Sequence, residues 1–164
     1  SQATDELGGT LRIGAAPVSR FAPMEADFAA VKPVDGTGQP ADMAPYRGKV
    51  LLVNFWATSC ATCVAKMPQI IATHDLFGAR GYETLAVAMR YDPPAYVARF
   101  ADTRRLPFGV AIDNTGEIAK RFGNVEFTPT TFVIDRRGLI VKRFVGAPDF
   151  AALHALVDKL LGQT

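Results

Sequence analysis

The run Asn54 to Pro68, NFWATSCATCVAKMP, holds the only two cysteines of the chain, Cys60 and Cys63, with two residues between them. A thiol pair at this spacing is an inert crosslink, half of a metal site, or a reactive dithiol. Thiol exchange needs the thiolate, and a helix N-terminus supplies what stabilises it: partial positive charge and unpaired N–H groups that bring the pKa below its free value of about 8.5. The sequence predicts that setting. The apolar run KVLLVNFWA precedes the pair and the helically spaced VAKMPQIIATHDLFGARG follows it, so Cys60 stands where a helix opens and Cys63 one turn on. There Cys60 can attack a substrate disulfide and Cys63 can resolve the mixed disulfide.

The rival readings are weaker. An inert crosslink over so short a loop removes little unfolded-state entropy. Zinc would need two further ligands, and the two histidines, His74 and His154, lack the usual paired spacing and are expected on helix surfaces. A copper- or zinc-handling module using the CxxC alone stays open; no His adjoins the pair and Met67 is the one nearby thioether.

The elements that must hold this pair follow from pattern. With 164 residues, 49% hydrophobic and 21% charged, the chain is one domain's worth of ordinary globular sequence, able to bury a core without a disulfide or metal. A formal charge of +2 with scattered Lys and Arg gives no nucleic-acid footprint; the densest basic stretch, around Arg99, Arg104 and Arg105, reads as a solvated helix face. No apolar run approaches the roughly 20 residues of a membrane span. Residues 1–20 read as a polar N-terminal arm and residues 21–164 as the domain. FAAVKPVDGTGQPADMAPYRGK, with its DGTGQP turn, predicts an N-terminal β-hairpin.

KVLLVNFWA and YETLAVAMR are predicted strands buried on both faces. DPPAYVARFADTRR is a predicted helix with Asp92 as N-cap and Pro in its first turn. PFGVAID is a predicted strand, TGEIAKRFG a short helix, TTFVIDRRGLIVKRFVG two strands about a turn, and PDFAALHALVDKLLG a closing amphipathic helix. Strands alternating with helices define an α/β class with an antiparallel hairpin near the C-terminus.

Four spaced landmarks resemble the thioredoxin superfamily and, in detail, the exported TlpA and ResA type of thiol-disulfide oxidoreductase, over about residues 25–164. VNFWATSCATC is similar to that family's strand and active-site helix, with Trp56 in the usual place. Pro68 matches the proline that kinks the helix. EFTPTTFVID resembles the segment whose cis proline faces the cysteines, nominating Thr128 and Pro129, and FVGAP the loop beside the site, nominating Gly146. The unit LAVAMRYDPPAYVARFADTRRLPFGVAID is similar to the inserted strand and helix of this branch.

The resemblance implies a central mixed sheet flanked by helices, with Cys60 as nucleophile and Cys63 as resolving thiol. It also implies that Trp56, Thr128, Pro129 and Gly146 meet the substrate, and that no cofactor is used beyond the Cys60–Cys63 disulfide, with no metal. The implied partners are proteins bearing cysteines or disulfides, such as cysteines awaiting haem or copper, and a membrane redox protein, but not nucleic acid. The expectation is a monomeric reductant outside the cytoplasm, in a bacterial periplasm, with any anchor in a segment preceding Ser1; a disulfide-forming oxidant is the alternative.

The departures from the family bear on tuning. Thioredoxins carry a buried acid where this chain has Asn54, and the ResA type a Glu where it has Lys66, so neither familiar carboxylate is available to move the proton of Cys63. Ser59 replaces a common Trp, and Ala61 and Thr62 lack both the Pro of thioredoxin and the His of strong oxidants. Peroxidases of this fold place Thr at the position held here by Ala57.

Overall fold

The computed structural model describes residues 46–163, so the predicted arm and N-terminal hairpin lie outside the described residues. The predicted strands and helices are present in order. Five strands, β1 (Val50–Trp56), β2 (Tyr82–Ala88), β3 (Gly109–Ile112), β4 (Thr130–Ile134) and β5 (Ile140–Val145), form one sheet ordered β3-β2-β1-β4-β5. Strand β1 is parallel to β2, and β2 to β3, whereas β4 is antiparallel to both β1 and β5. This is the mixed sheet expected, with the inserted unit supplying its parallel edge.

The position of β1 follows from its composition. All seven of its residues are buried, as an uninterrupted apolar run requires of a strand covered on both faces. Its alternating side chains feed two cores. Leu51, Val53 and Phe55 pack with Ile118, Phe122 and Phe132 on one face. On the other, Val50 and Leu52 pack with Leu153 and Val157 of the closing helix, and Trp56 with Cys63, Met67 and Ile70. That second face carries helix α1 (Ala61–Phe77), so the strand end and the helix start meet at the cysteines.

Helix α1 runs unbroken through Pro68, exposed in mid-helix where its missing N–H leaves a carbonyl one turn earlier without the usual donor. It stops at Gly78, followed by a 3-10 turn, Gly78–Arg80. The remaining helices are α2 (Pro94–Thr103), α3 (Glu117–Arg121) and α4 (Phe150–Leu161). Asp149 caps α4 by accepting from the Ala152 N–H at 3.1 Å.

Two expectations are corrected. Asp92 is not the N-cap of α2: Pro93 holds that position, without a side-chain cap bond, and the Asp92 carboxylate turns elsewhere. Neither histidine stands free on a helix surface. His74 Nδ1 lies 3.1 Å from Thr84 Oγ1, and His154 Nε2 lies 2.8 Å from Thr73 Oγ1, each tying a helix to its neighbour across a half-buried seam.

Candidate active site

Cys60 is the N-cap of α1, in extended backbone conformation, and its Sγ accepts from the Cys63 N–H at 3.1 Å. The Val64 N–H bonds the Cys60 carbonyl at 3.0 Å, so the first turn closes on Cys60 itself. The first turn has no acidic residue to offset the helix's positive end. Cys60 and Cys63 are joined as a disulfide with Cα atoms 5.2 Å apart. Their exposures differ. Cys63 is 3% exposed, whereas Cys60 is half-buried at the rim of the same cluster, so one sulfur is reachable and the other is held behind it.

Sheet register brings together landmarks that lie far apart in sequence. In the β1–β4 pairing Phe55 faces Thr130, and in the β4–β5 pairing Thr130 faces Val145. One residue further along each strand, Trp56, Pro129 and Gly146 fall in a single row at the sheet end from which the cysteine loop departs. The Thr128–Pro129 bond is cis, and the Gly146 N–H closes the row by donating to the Pro129 carbonyl at 2.8 Å. Gly146 has φ of +84°, a conformation that glycine adopts at little cost.

Each remaining site residue nominated from sequence has a definite place. Trp56 is fully buried, packed on Phe100 with ring centroids 5.0 Å apart; it flanks the sulfurs from inside and has no exposed surface to offer a client. Thr128 is half-buried beside Pro129. Ser59, Ala61 and Thr62 are exposed around Cys60 and make a small, polar surface there. Lys66, half-buried, stands one turn beyond Cys63. Asn54, in the position of the familiar acid, is 3% exposed and accepts from the Thr131 hydroxyl at 3.2 Å. Among the described residues no group of three or more His, Cys, Asp or Glu side chains gathers as a metal site.

Sequence reasoning missed two features. Asp92, 2% exposed, accepts from both the backbone N–H and the hydroxyl of Thr58, at 2.7 and 2.6 Å. Thr58 is two residues before Cys60, so a buried carboxylate from the β2–α2 connection grips the cysteine loop. The second feature is a shallow groove beside the proline loop, lined by Val125, Phe127, Thr130, Arg143 and Val145 among others. Phe127 and Val145 are 68% and 58% exposed. Exposed apolar residues next to a nominated site were the available sequence signal, since Phe127 directly precedes Thr128.

Fold and site together define a thioredoxin-like α/β domain with a CxxC disulfide at a helix N-terminus. A family model described as Redoxin matches residues 22–157. The thiol-disulfide oxidoreductase ResA of Geobacillus thermodenitrificans is 34% identical over 112 residues, covering 68% of this chain and 63% of that protein, so the match spans just under two thirds of this relative's length. ResA of Bacillus thuringiensis subsp. konkukian is 30% identical over 126 residues, 77% of this chain and 72% of its own. Among solved structures, a thioredoxin candidate from Neisseria meningitidis superposes with a TM-score of 0.72 at 34% identity, covering 84% of this chain and 91% of that one. The chain belongs to the redoxin family.

Proposed function

We propose that this domain is a thiol-disulfide oxidoreductase that reduces disulfides of protein clients outside the cytoplasm, through the Cys60–Cys63 pair. The observation that carries this reading is the asymmetry of the pair: a half-exposed Cys60 capping α1 and a buried Cys63 one turn behind it. In the dithiol form the Cys60 thiolate attacks one sulfur of a client disulfide, forming a mixed disulfide while the other client sulfur leaves and takes a proton. The Cys63 thiolate then attacks Cys60 Sγ, releasing the second client thiol and forming the Cys60–Cys63 disulfide. Two electrons pass to the client, and a dithiol of a membrane redox partner returns them. The backbone of Thr128 and Pro129 pairs with the client chain beside the cysteines, and the groove at Phe127 and Val145 takes an apolar client side chain. The extracytoplasmic setting rests on the likeness to ResA and on the resemblance to exported proteins of that type.

The test is the reduction potential of the pair, by equilibration with glutathione or a thioredoxin standard and mass spectrometry after alkylation. A value near the roughly −270 mV of thioredoxin supports a reductant, and one near roughly −120 mV makes the domain an oxidant.

A further inference from the structure

The two carboxylate positions familiar in relatives are held here by Asn54 and Lys66, yet the cysteine loop is not without an acid. Asp92 sits 2% exposed at the start of the inserted helix segment and directs both carboxylate oxygens at Thr58. We propose that Asp92 is a positioning residue for thiol exchange: it clamps the loop that presents Cys60, and its buried negative charge holds the Cys60 thiolate population down, poising the pair as a reductant. This deepens the reading above and rests on it.

The geometry supplies both halves of the proposal. Both bonds, at 2.7 and 2.6 Å, are at the short end of the range, as charge-assisted bonds to a carboxylate are. They bridge 34 residues, so they tie the β2–α2 connection to the cysteine loop. The loop is further closed by the Cys60 N–H bonding the Ala57 carbonyl at 3.1 Å, and the Asp92 N–H is itself held by the Met89 carbonyl at 3.0 Å. Thr58 and Cys60 are two residues apart, so their Cα atoms are at most about 7.6 Å apart and the carboxylate lies within roughly 10 Å of the Cys60 backbone. At that range, in a partly desolvated site, one unit charge changes an ionisation equilibrium by roughly tenfold.

The experiment separates charge from clamp. In Asp92→Asn the amide oxygen still accepts from the Thr58 N–H, while the amide N–H₂ donates to the Thr58 hydroxyl, so the contacts survive and the charge is gone. Asp92→Glu keeps the charge, and Thr58→Val keeps the charge while removing one bond. The readouts are the pH dependence of Cys60 alkylation in the reduced protein and the reduction potential. Asp92→Asn is expected to raise the Cys60 thiolate fraction at acidic pH about tenfold and to move the potential, measured at a pH above the Cys60 pKa where the thiolate is the main reduced species, about 30 mV in the oxidising direction, because a more stable thiolate stabilises the reduced form. Asp92→Glu and Thr58→Val, which keep the charge but disturb the clamp, are expected to shift both readouts by less than half as much as Asp92→Asn. Asp92→Asn titrating and poising like wild type, or Thr58→Val shifting as far as Asp92→Asn, would overturn the proposal. The alkylation titration reads thiols whether or not clients are reduced, so a wild-type protein that reduces no client disulfide refutes the function and leaves this test standing.

Discussion

Replacing Gly146 with Ala isolates the cost of one backbone conformation beside the site. Gly146 has φ of +84°, and a Cβ added there would meet nothing within 4 Å, so no steric term enters. The left-handed conformation costs an L-residue about 1–2 kcal/mol. Ala also restricts the unfolded chain, which returns about 0.4–1 kcal/mol. The expected net loss is therefore between about 0 and about 1.6 kcal/mol, read by urea denaturation of the oxidised protein with the m-value unchanged. Gly146→Asn should lose less, because Asn tolerates this region. Gly109→Ala gives the opposite case: its Cβ would collide with the Tyr46 hydroxyl and press on Leu85 Cδ1 at 3.3 Å, so its cost is one of overpacking, about 1–3 kcal/mol. A loss above about 3 kcal/mol for Gly146→Ala, or one larger than that of Gly109→Ala, would refute the separation of strain from clash.

Burial, the largest cause, pushes the Tyr82 phenol well above its ordinary value near 10; the nearby Glu83 charge adds to the shift and the hydrogen bond from Thr84 opposes it. A phenol whose folded pKa is raised gives stability that is complete below the unfolded value and is lost as pH climbs toward the folded one. Wild-type stability should therefore fall more steeply above about pH 10 than that of Tyr82→Phe, in parallel urea titrations. Asn54→Asp restores an acid beside the Thr131 hydroxyl in a buried site, where desolvation raises its pKa. That variant should match wild type near pH 4, lose about 2–3 kcal/mol by pH 8 if its pKa rises about two units, and show a more reducing potential. Equal stability across that range would show that water reaches residue 54.

Much of the fold was legible because local pattern and burial agree. KVLLVNFWA reads as a doubly covered strand because it is short, rich in Val and Leu and bounded by Gly48 and a polar turn, and Cys60 fell at a helix start because polar turn residues separate that strand from a helical period. The landmark segments named the row of Trp56, Pro129 and Gly146, although only register places them side by side. Asp92 was misread for a physical reason. An Asp followed by Pro-Pro has the signature of a helix cap, and whether its carboxylate folds back on α2 or crosses to Thr58 depends on a contact 34 residues away in sequence. His74 and His154 lie on helix faces whose exposure is set by neighbouring elements, and Trp56 reads alike in sequence whether buried or at a surface.

In the proposed exchange Cys60 attacks and Cys63 resolves. Incubating Cys63→Ser and Cys60→Ser with a disulfide-bearing client, quenching with acid, and separating the products by non-reducing electrophoresis and mass spectrometry tests it directly. A mixed disulfide through Cys60 that accumulates with Cys63→Ser and not with Cys60→Ser is the predicted result; equal trapping by both variants, or trapping by neither, contradicts the account.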